Sequence, residues 1–505
     1  MAYSNSPETS TYKTVDLDFI ASSWPRDNNT TSRRDPDILN MFFDRNSNEN
    51  QTREFVLKKR AGLATTGLNL NKNTSTDIIN GFFQDSNTGY IYWAVNDKVW
   101  RYNGVTVALI ATMAGGTTGS INSVGFCLFL NSSGTRYLMI NNGAELWYHD
   151  VTTNSSTKVS DADYPTPTSP HMVFLDGYLF VIKSSTGDIY NSDLDDPTAW
   201  TPGNYVTAEI NPDFALTLAK VKNYLVCFGT DGVEFFYDAA NTSGSPLGRN
   251  ESFYKPVTLQ SSVCNVGDAL YFIGRYPNQS SRVFRLDGNS IQEISPSWVN
   301  RYLSRLIGVS FGSSVVTNTS LVFAFSSSGH HFIGINLNTD FILVYDINEG
   351  FWYRWSFGPD FNTNNNRIEG AVKQTTGDET LLITGGQVNF LSLDDFTYRD
   401  SLTNFTCSYT SQDFTADTFN WKMCHRAGLH CDYPSTGGVT SNATISWSDD
   451  DGNTFSTPRN ISVTTNNPYI TQCGRFRTRN WRITYSDNYP FRMWGLSMDL
   501  NIGNV

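Results

Sequence analysis

The sequence predicts an all-β protein, an irregular six-bladed (or seven-bladed) β-propeller carrying a β-sandwich. Three observations lead there. Aromatic residues make up 14% of the 505 positions and charged residues only 17%, against about 25% charged in an average globular chain. Short aromatic and aliphatic runs alternate with Gly, Asn and Asp turns, and the long period of 3.6 that marks amphipathic helices is almost absent. The runs recur in groups of three or four at a spacing of roughly 40–50 residues, the period of propeller blades.

Residues 1–77 are polar and irregular, and they include Arg33-Arg34, the patch Met41-Phe42-Phe43 and the basic run Lys58-Lys59-Arg60. A stretch this poor in its own core is expected to pack on another domain, the C-terminal one. Residues 78–399 carry the blade rhythm. The first unit holds Gly81–Phe83, Tyr90–Ala94 and Val99–Tyr102; the second Phe126–Leu130, Tyr137–Ile140 and Glu145–Tyr148; the third Met172–Leu175, Tyr178–Ile182 and Ile189-Tyr190. The fourth and fifth run from Tyr224 to Ser295, the sixth from Leu321 to Trp355, and a weaker seventh from Ile368 to Leu393. Between the fifth and sixth, Ser295 reads as a helix N-cap, Pro296 as the first helical position and Ile294 as a staple to Val299, for a helix ending near Leu306. Residues 400–505, with strand patterns at Phe405–Tyr409, Ala443–Trp447, Ile461–Val463, Arg482–Tyr485 and Met493–Met498, read as the sandwich.

The formal net charge is −12. Such a chain does not grip nucleic acid over its whole surface, because that requires clustered Lys and Arg to neutralise phosphates. An acidic surface remains compatible with DNA that passes by without sticking. Seven cysteines, Cys127, Cys227, Cys264, Cys407, Cys424, Cys431 and Cys473, are an odd set without tight spacing. They read as small apolar residues in strands, not as a disulfide framework. No signal peptide is expected from Met1–Pro7, and no run approaches the ~18 apolar residues of a membrane-spanning helix.

Few residues group into a recognisable reactive site. Ser448, Asp450, Gly452, Thr454 and Phe455 fit an Asp-box hairpin, in which the carboxylate binds turn amides and glycine supplies a positive φ. Sialidases carry the same box on their blades, but here it occurs once and outside the blade region. Cys424-His425 and His430-Cys431 are zinc-ligating residue types at a non-standard spacing, and neighbours on a strand point to opposite faces. Asp193, Asp195 and Asp196 before Pro197, and Asp449-Asp450-Asp451, read as solvated turns, the second with some appeal to Ca²⁺. His330-His331 lacks a nucleophile beside it, and no phosphate-binding or dinucleotide loop is present. No catalytic residue, cofactor or metal is expected. The candidate partner or phosphate contacts are basic: Lys58, Lys59 and Arg60, and Arg475, Arg477, Arg479 and Arg482, which alternate with Phe476 and Trp481. The second group reads either as a contact surface or as an exposed strand face with snorkelling arginines.

The stretch Tyr224–Arg249 joins an apolar strand, a Gly-bounded turn, an aromatic strand and a polar loop with Ser245-Pro246. Cys264, Leu270–Gly274, Arg282–Arg285 and Ile294-Ser295 continue it. This succession resembles the packaged-DNA stabilisation proteins of short-tailed phages, also called tail nozzle or tail tubular B proteins. The likeness covers most of the chain and is strongest from Val221 to Leu306; the Arg33–Leu63 segment, the Asp-box hairpin and the last strand follow it more loosely. The family implies a non-enzymatic homohexameric ring below the portal and its head-to-tail adaptor. A platform of N- and C-terminal segments meets the adaptor, and propellers enclose a channel that retains packaged DNA and later conducts it, without sequence-specific binding. Tail fibre, spike or needle proteins are further implied partners. The expected location is the virion tail, after synthesis in the host bacterial cytoplasm. The chain is similar in length to the shorter, needle-bearing type and much shorter than the tubular proteins with an inserted fibre-docking region, so fibre binding by such an insertion is not carried over. Two other classes fit a propeller: a glycoside hydrolase of sialidase type, which requires paired carboxylates in a cleft, and a carbohydrate-binding propeller, for which the Trp and Tyr content speaks.

Overall fold

Hairpins with tight, positive-φ turns build most of the chain. Between the strands Thr168–Leu175 and Tyr178–Lys183 the two turn residues Asp176 and Gly177 have φ of 48° and 88°. That turn matches the right-handed twist of the strands it joins. A computed structural model describes residues 13–19, 37–45, 55–72, 77, 79–114, 123–208, 214–229, 232–241, 243–253, 262–276, 279–288, 290–306, 322–337, 341–357, 368–373, 380–384, 389–400, 403–433 and 438–503. The expected Arg33-Arg34 group lies outside them. The chain forms two compact units: residues 65–348 with 360–393, and residues 1–64 with 349–359 and 394–505.

The first unit is a propeller. Four-stranded antiparallel meanders occupy 79–112, 125–158, 168–207, 215–253 and 263–293. A sixth blade contributes Val322–Ser327, His330–Ile335 and Ile342–Asp346 to this unit. The seventh holds Ile368–Lys373, Thr380–Thr384 and Asn389–Asp394 and is completed by the strand Gly62–Asn69. Thr66 Oγ1 donates to Phe390 O there at 2.6 Å. The first strands of the blades lie side by side around the axis, and that of the seventh meets that of the first. The ring therefore has seven blades, not the favoured six. The seventh looked weak in sequence because its outer strand is supplied from the other end of the unit.

Two kinds of contact hold neighbouring blades together. Apolar side chains interleave, as where Val173, Phe180 and Ile182 meet Leu218, Leu225 and Phe236. Each fully buried side chain of this size is worth about 1.5–3 kcal/mol. Side chains also donate to a neighbouring blade's carbonyls: Asn141 Nδ2 to Ser169 O at 2.9 Å, Ser169 Oγ to Leu216 O at 2.9 Å, Asn336 Nδ2 to Ile368 O at 2.6 Å and Thr380 Oγ1 to Ser326 O at 2.6 Å. At Gly125 the backbones approach so closely that a Cβ would sit 1.8 Å from Pro170 O.

The helix Ser297–Leu306 forms as expected, with a different cap. Asn300 N donates to Pro296 O, so Pro296 is the capping position. Ser295 instead accepts from Val283 N at 2.9 Å and donates to Asn300 Oδ1 at 2.6 Å. Its hydroxyl serves the fifth blade, whose carbonyl–amide ladder would otherwise end on an open N–H. Trp298 and Tyr302 meet edge to face with centroids 6.1 Å apart.

The second unit is a sandwich built from both ends of the chain. In one sheet the order is Met41–Arg45, Phe55–Lys59, Arg492–Ile502, Lys422–Cys431, Tyr469–Phe476, and Lys13–Asp18 also pairs with Arg492–Ile502 in the register Val15↔Met498. The other contains Trp352–Trp355, Asp37–Leu39, Cys407–Thr410, Asn480–Tyr485, Asn442–Ser448 and Arg459–Ser462 in that order. Residues 349–359 belong here because Leu39 pairs with Arg354 and Phe43 packs on Phe351 at 4.8 Å. Leu57, Ala427, Leu429, Met493, Leu496 and Met498 of one sheet and Tyr409, Ile445, Ile483 and Tyr485 of the other are all buried.

Candidate interaction surface

Strand alternation sorts the basic residues. Lys58 stays at the surface, with Nζ 3.6 Å from Asp44 Oδ2. Lys59 and Arg60 are buried. Arg60 spends all five N–H donors inside the sandwich: Nε on Asn40 Oδ1 at 3.1 Å, Nη1 on Ala61 O at 2.7 Å and Asp400 Oδ1 at 2.9 Å, and Nη2 on Ser356 O at 2.6 Å and Asp400 Oδ2 at 2.6 Å. Its guanidinium lies 3.7 Å from the Phe405 ring centroid. A buried charge needs this degree of pairing to survive desolvation. Lys59 Nζ donates to Tyr398 O at 2.9 Å and Asp487 O at 2.7 Å, and burial lowers its pKa to about 8. These two residues tie chain segments together and are unavailable to a partner.

The C-terminal group divides in the same way. Phe476 points inward, so Arg475 and Arg477 on either side of it are exposed. Arg479 is in phase with Trp481, Ile483 and Tyr485 and is 1% exposed. It forms a two-pronged pair with Asp449 at 2.6 and 2.8 Å, and Nη1 donates to Cys473 O at 2.6 Å. Arg482 is half-buried, 3.5 Å over the Phe455 ring, with Nε on Thr410 Oγ1 at 3.2 Å. Only Arg475 and Arg477 present their guanidinium groups outward.

Both lie over one ring, that of Trp421, at 5.1 and 5.0 Å from its centroid. Met423 is the direct strand partner of Arg475. Trp421 and Met423, beside the two cations, are 40% and 42% exposed, and Phe419, two residues before Trp421, is 75% exposed. Beneath them sits Lys422, a residue the sequence reading did not single out. It is fully buried, and its Nζ donates to Thr418 O at 2.7 Å, Asn420 O at 2.8 Å and Arg477 O at 2.8 Å. All three ammonium donors are thereby used. The available signal was its phase: Lys422 shares a strand face with Cys424. Gly503 N donates to Trp421 O at 2.8 Å and Asn420 Nδ2 to Gly503 O at 3.0 Å, so the surface is braced from two sides.

The other candidates resolve into local structure. In the Asp box, Asp450 accepts from Ser448 Oγ at 2.7 Å, Thr454 N at 2.9 Å and Thr454 Oγ1 at 2.6 Å, and Gly452 has φ of 80°. The Ser448 and Thr454 hydrogen bonds hold the Asp450 carboxyl at about 2. Asp195 Oδ1 accepts from Ser132 N at 3.0 Å, joining two blades at the expected turn. Cys424 and Cys431 lie at opposite ends of the strand Lys422–Cys431, and His430 meets Ser497 Oγ at 2.5 Å. His330 Nδ1 pairs with the buried Asp346 at 2.8 Å. Among the described residues no group of three or more His, Cys, Asp and Glu is placed to hold a metal ion.

Two cavities of about 450 Å³ open along the propeller axis. One is lined by Phe82, Gln84, Phe325, His331 and Lys373 among others, the other by Phe126, His171, Phe174 and Lys220, and Asn265 borders both. Burial lowers His171 to about 4. Neither described lining contains a carboxylate or an arginine, the groups on which a sialidase-type site depends.

A family model described as "Bacteriophage P22 Gp10, beta-propeller" matches residues 63–380. A search of curated proteins returns no match. Among solved structures, a catalytically inactive virginiamycin B lyase from Staphylococcus aureus with quinupristin is 11% identical, covering 66% of this chain and 100% of that one at a TM-score of 0.43. The Pan2 WD40 domain of Neurospora crassa is 9% identical over 67% of this chain and 96% of that one, with a TM-score of 0.40. The Cps50 (Swd1) β-propeller domain of Myceliophteria thermophila is 11% identical over 67% and 100%, also at 0.40. At such identities and scores these structures carry no argument about function.

Proposed function

The chain belongs to the bacteriophage P22 Gp10 β-propeller family and is a phage structural protein, and we propose that it is the subunit of a tail nozzle. In this reading six copies form a ring below the portal and head-to-tail adaptor, retain the packaged DNA and form the channel through which it leaves. The observation that carries the reading is the family match over 63–380, most of the seven-bladed unit. A closed ring repeats one heterologous interface, and the sandwich is the element that meets the adaptor. The net charge of −12 per subunit disfavours tight retention of phosphate on the channel wall. Fibre, spike or needle proteins complete the tail, and the subunit is made in the bacterial cytoplasm before it joins the virion.

The test is to mix purified chain with portal–adaptor particles and image them by electron microscopy, with the chain alone as control. A six-fold ring docked below the adaptor is the expected result. A chain that never joins the particle overturns the proposal. Assembly is expected to depend on the adaptor, since free rings would close before use. A stable hexamer of the isolated chain, seen by sedimentation, overturns that part alone.

A further inference from the structure

We propose that the braced surface around Trp421 docks an acidic, partly apolar segment of a second protein. Arg475 and Arg477 each take a carboxylate, and Phe419, Trp421 and Met423 cover the segment's apolar side chains. The proposal deepens the nozzle reading, on which it rests for the existence of a protein partner.

Charge is the first argument. Three other arginines of this unit are neutralised within the chain, Arg426 by Asp499 at 2.9 Å, Arg479 by Asp449 at 2.6 Å and Arg492 by Asp432 at 3.3 Å, while Arg459 and Arg482 bond Thr471 O and Thr410 Oγ1. Among the described residues Arg475 and Arg477 have no such partner, although the chain as a whole is acidic. Two uncompensated guanidinium forks on one tryptophan suit two carboxylates, which they can bind bidentately.

Composition is the second. Trp, Phe, Met and Arg are the residues enriched at the centres of protein interfaces. A duplex-binding surface instead needs a longer run of outward cations along the phosphates, and along this segment the outward pair Arg475 and Arg477 is followed by the buried Arg479.

Rigidity is the third. Lys422 clamps the carbonyls of Thr418, Asn420 and Arg477 from below, and Gly503 holds Trp421. The side chains are thus presented outward at little further entropic cost on binding. A large aromatic held out by so much buried hydrogen bonding is a built feature of the sheet.

The experiment uses the full chain and three fluorescent probes read by anisotropy: a peptide of alternating Glu and Leu, its Lys and Leu counterpart, and a short DNA duplex. Binding of the acidic peptide alone is expected. It should weaken about tenfold or more in R475E/R477E and in Trp421→Ala. Arg285→Glu, on a propeller blade, should bind as wild type, and equal thermal unfolding of all variants excludes misfolding. Undiminished peptide binding in R475E/R477E overturns the proposal. So does DNA binding lost in that variant, or self-association lost in it. In the particle assay, normal docking by R475E/R477E overturns the docking surface and leaves the nozzle intact. Failure of wild type to dock overturns the nozzle, and the peptide arm still judges the surface.

Discussion

The propeller and the sandwich differ in how they bury polar groups. Between blades one ion pair, Arg136 with Asp85 at 2.7 Å, joins the first two, but many bridging groups are neutral, with Asn141, Ser169, Asn336 and Thr380 each reaching a carbonyl of a neighbouring sheet. Inside the sandwich they are charged: Arg60 with Asp400, Arg479 with Asp449, and the two buried ammonium groups of Lys59 and Lys422. Six of the seven blades in this unit take their described strands from one contiguous stretch, so local turns already specify their register. The sandwich gathers distant segments, and a wrongly seated strand would leave a naked charge in the core. Buried ion pairs add little net stability but penalise mispairing heavily.

That contrast can be broken by mutation. Arg60→Ala removes the guanidinium that holds both Asp400 oxygens and should cost about 3–5 kcal/mol, read as a loss of sandwich stability in urea. Replacing both as R60M/D400L should cost clearly less, and an equal loss would refute the role of the broken ion pair. In the propeller, Gly125→Ala forces a Cβ against Pro170 O and should cost about 1–3 kcal/mol. Asn141→Ala removes a buried bridge and should cost about 1–2 kcal/mol, less than any single break in the Arg60 network.

Two pH effects are smaller. Burial sets the Lys59 pKa at about 8 against an ordinary 10.5, so the folded chain holds this proton less tightly than the unfolded one. Stability should therefore rise with pH across that interval, through this group, and Lys59→Met should lack the rise. Comparing urea midpoints of the two proteins at both ends of the interval measures it. For Asp450 the sign is opposite: its carboxyl is held at about 2 against an ordinary 3.8. The contribution is present above the ordinary value and lost as pH falls through the folded one. Amide exchange at Gly452 and Thr454 should quicken over that range, and Asp450→Asn should exchange fast throughout.

Much of the fold was legible because alternation and turn residues are local signals. Val99–Tyr102 and Tyr178–Ile182 declare themselves as strands without reference to anything distant. The fourth strand of the seventh blade did not, since Gly62–Asn69 reads as one more polar stretch and its partner Phe390 is far along the chain. The candidate surface was legible in type and only partly in place. Alternation about Phe476 and Trp481 was enough to separate the outward Arg475 and Arg477 from the inward Arg479. Lys59, Arg60 and Lys422 were harder, because a cation among apolar neighbours reads as surface until the carbonyls that receive it are known. Those acceptors, Tyr398, Asp487, Ser356 and Arg477, come from segments that no local pattern links.

The pairing of the first strand with the last has a consequence for how the protein is made. Leu17 must wait for Leu496, and at about 5–20 residues per second a ribosome needs roughly 25–100 seconds to deliver it. The propeller can close once residues near 390 emerge, but the strand Lys13–Asp18 has no pairing partner until Arg492–Ile502 has been made. A premature stop codon just before Arg492 would be as damaging to the strand Lys13–Asp18 as deleting that strand itself.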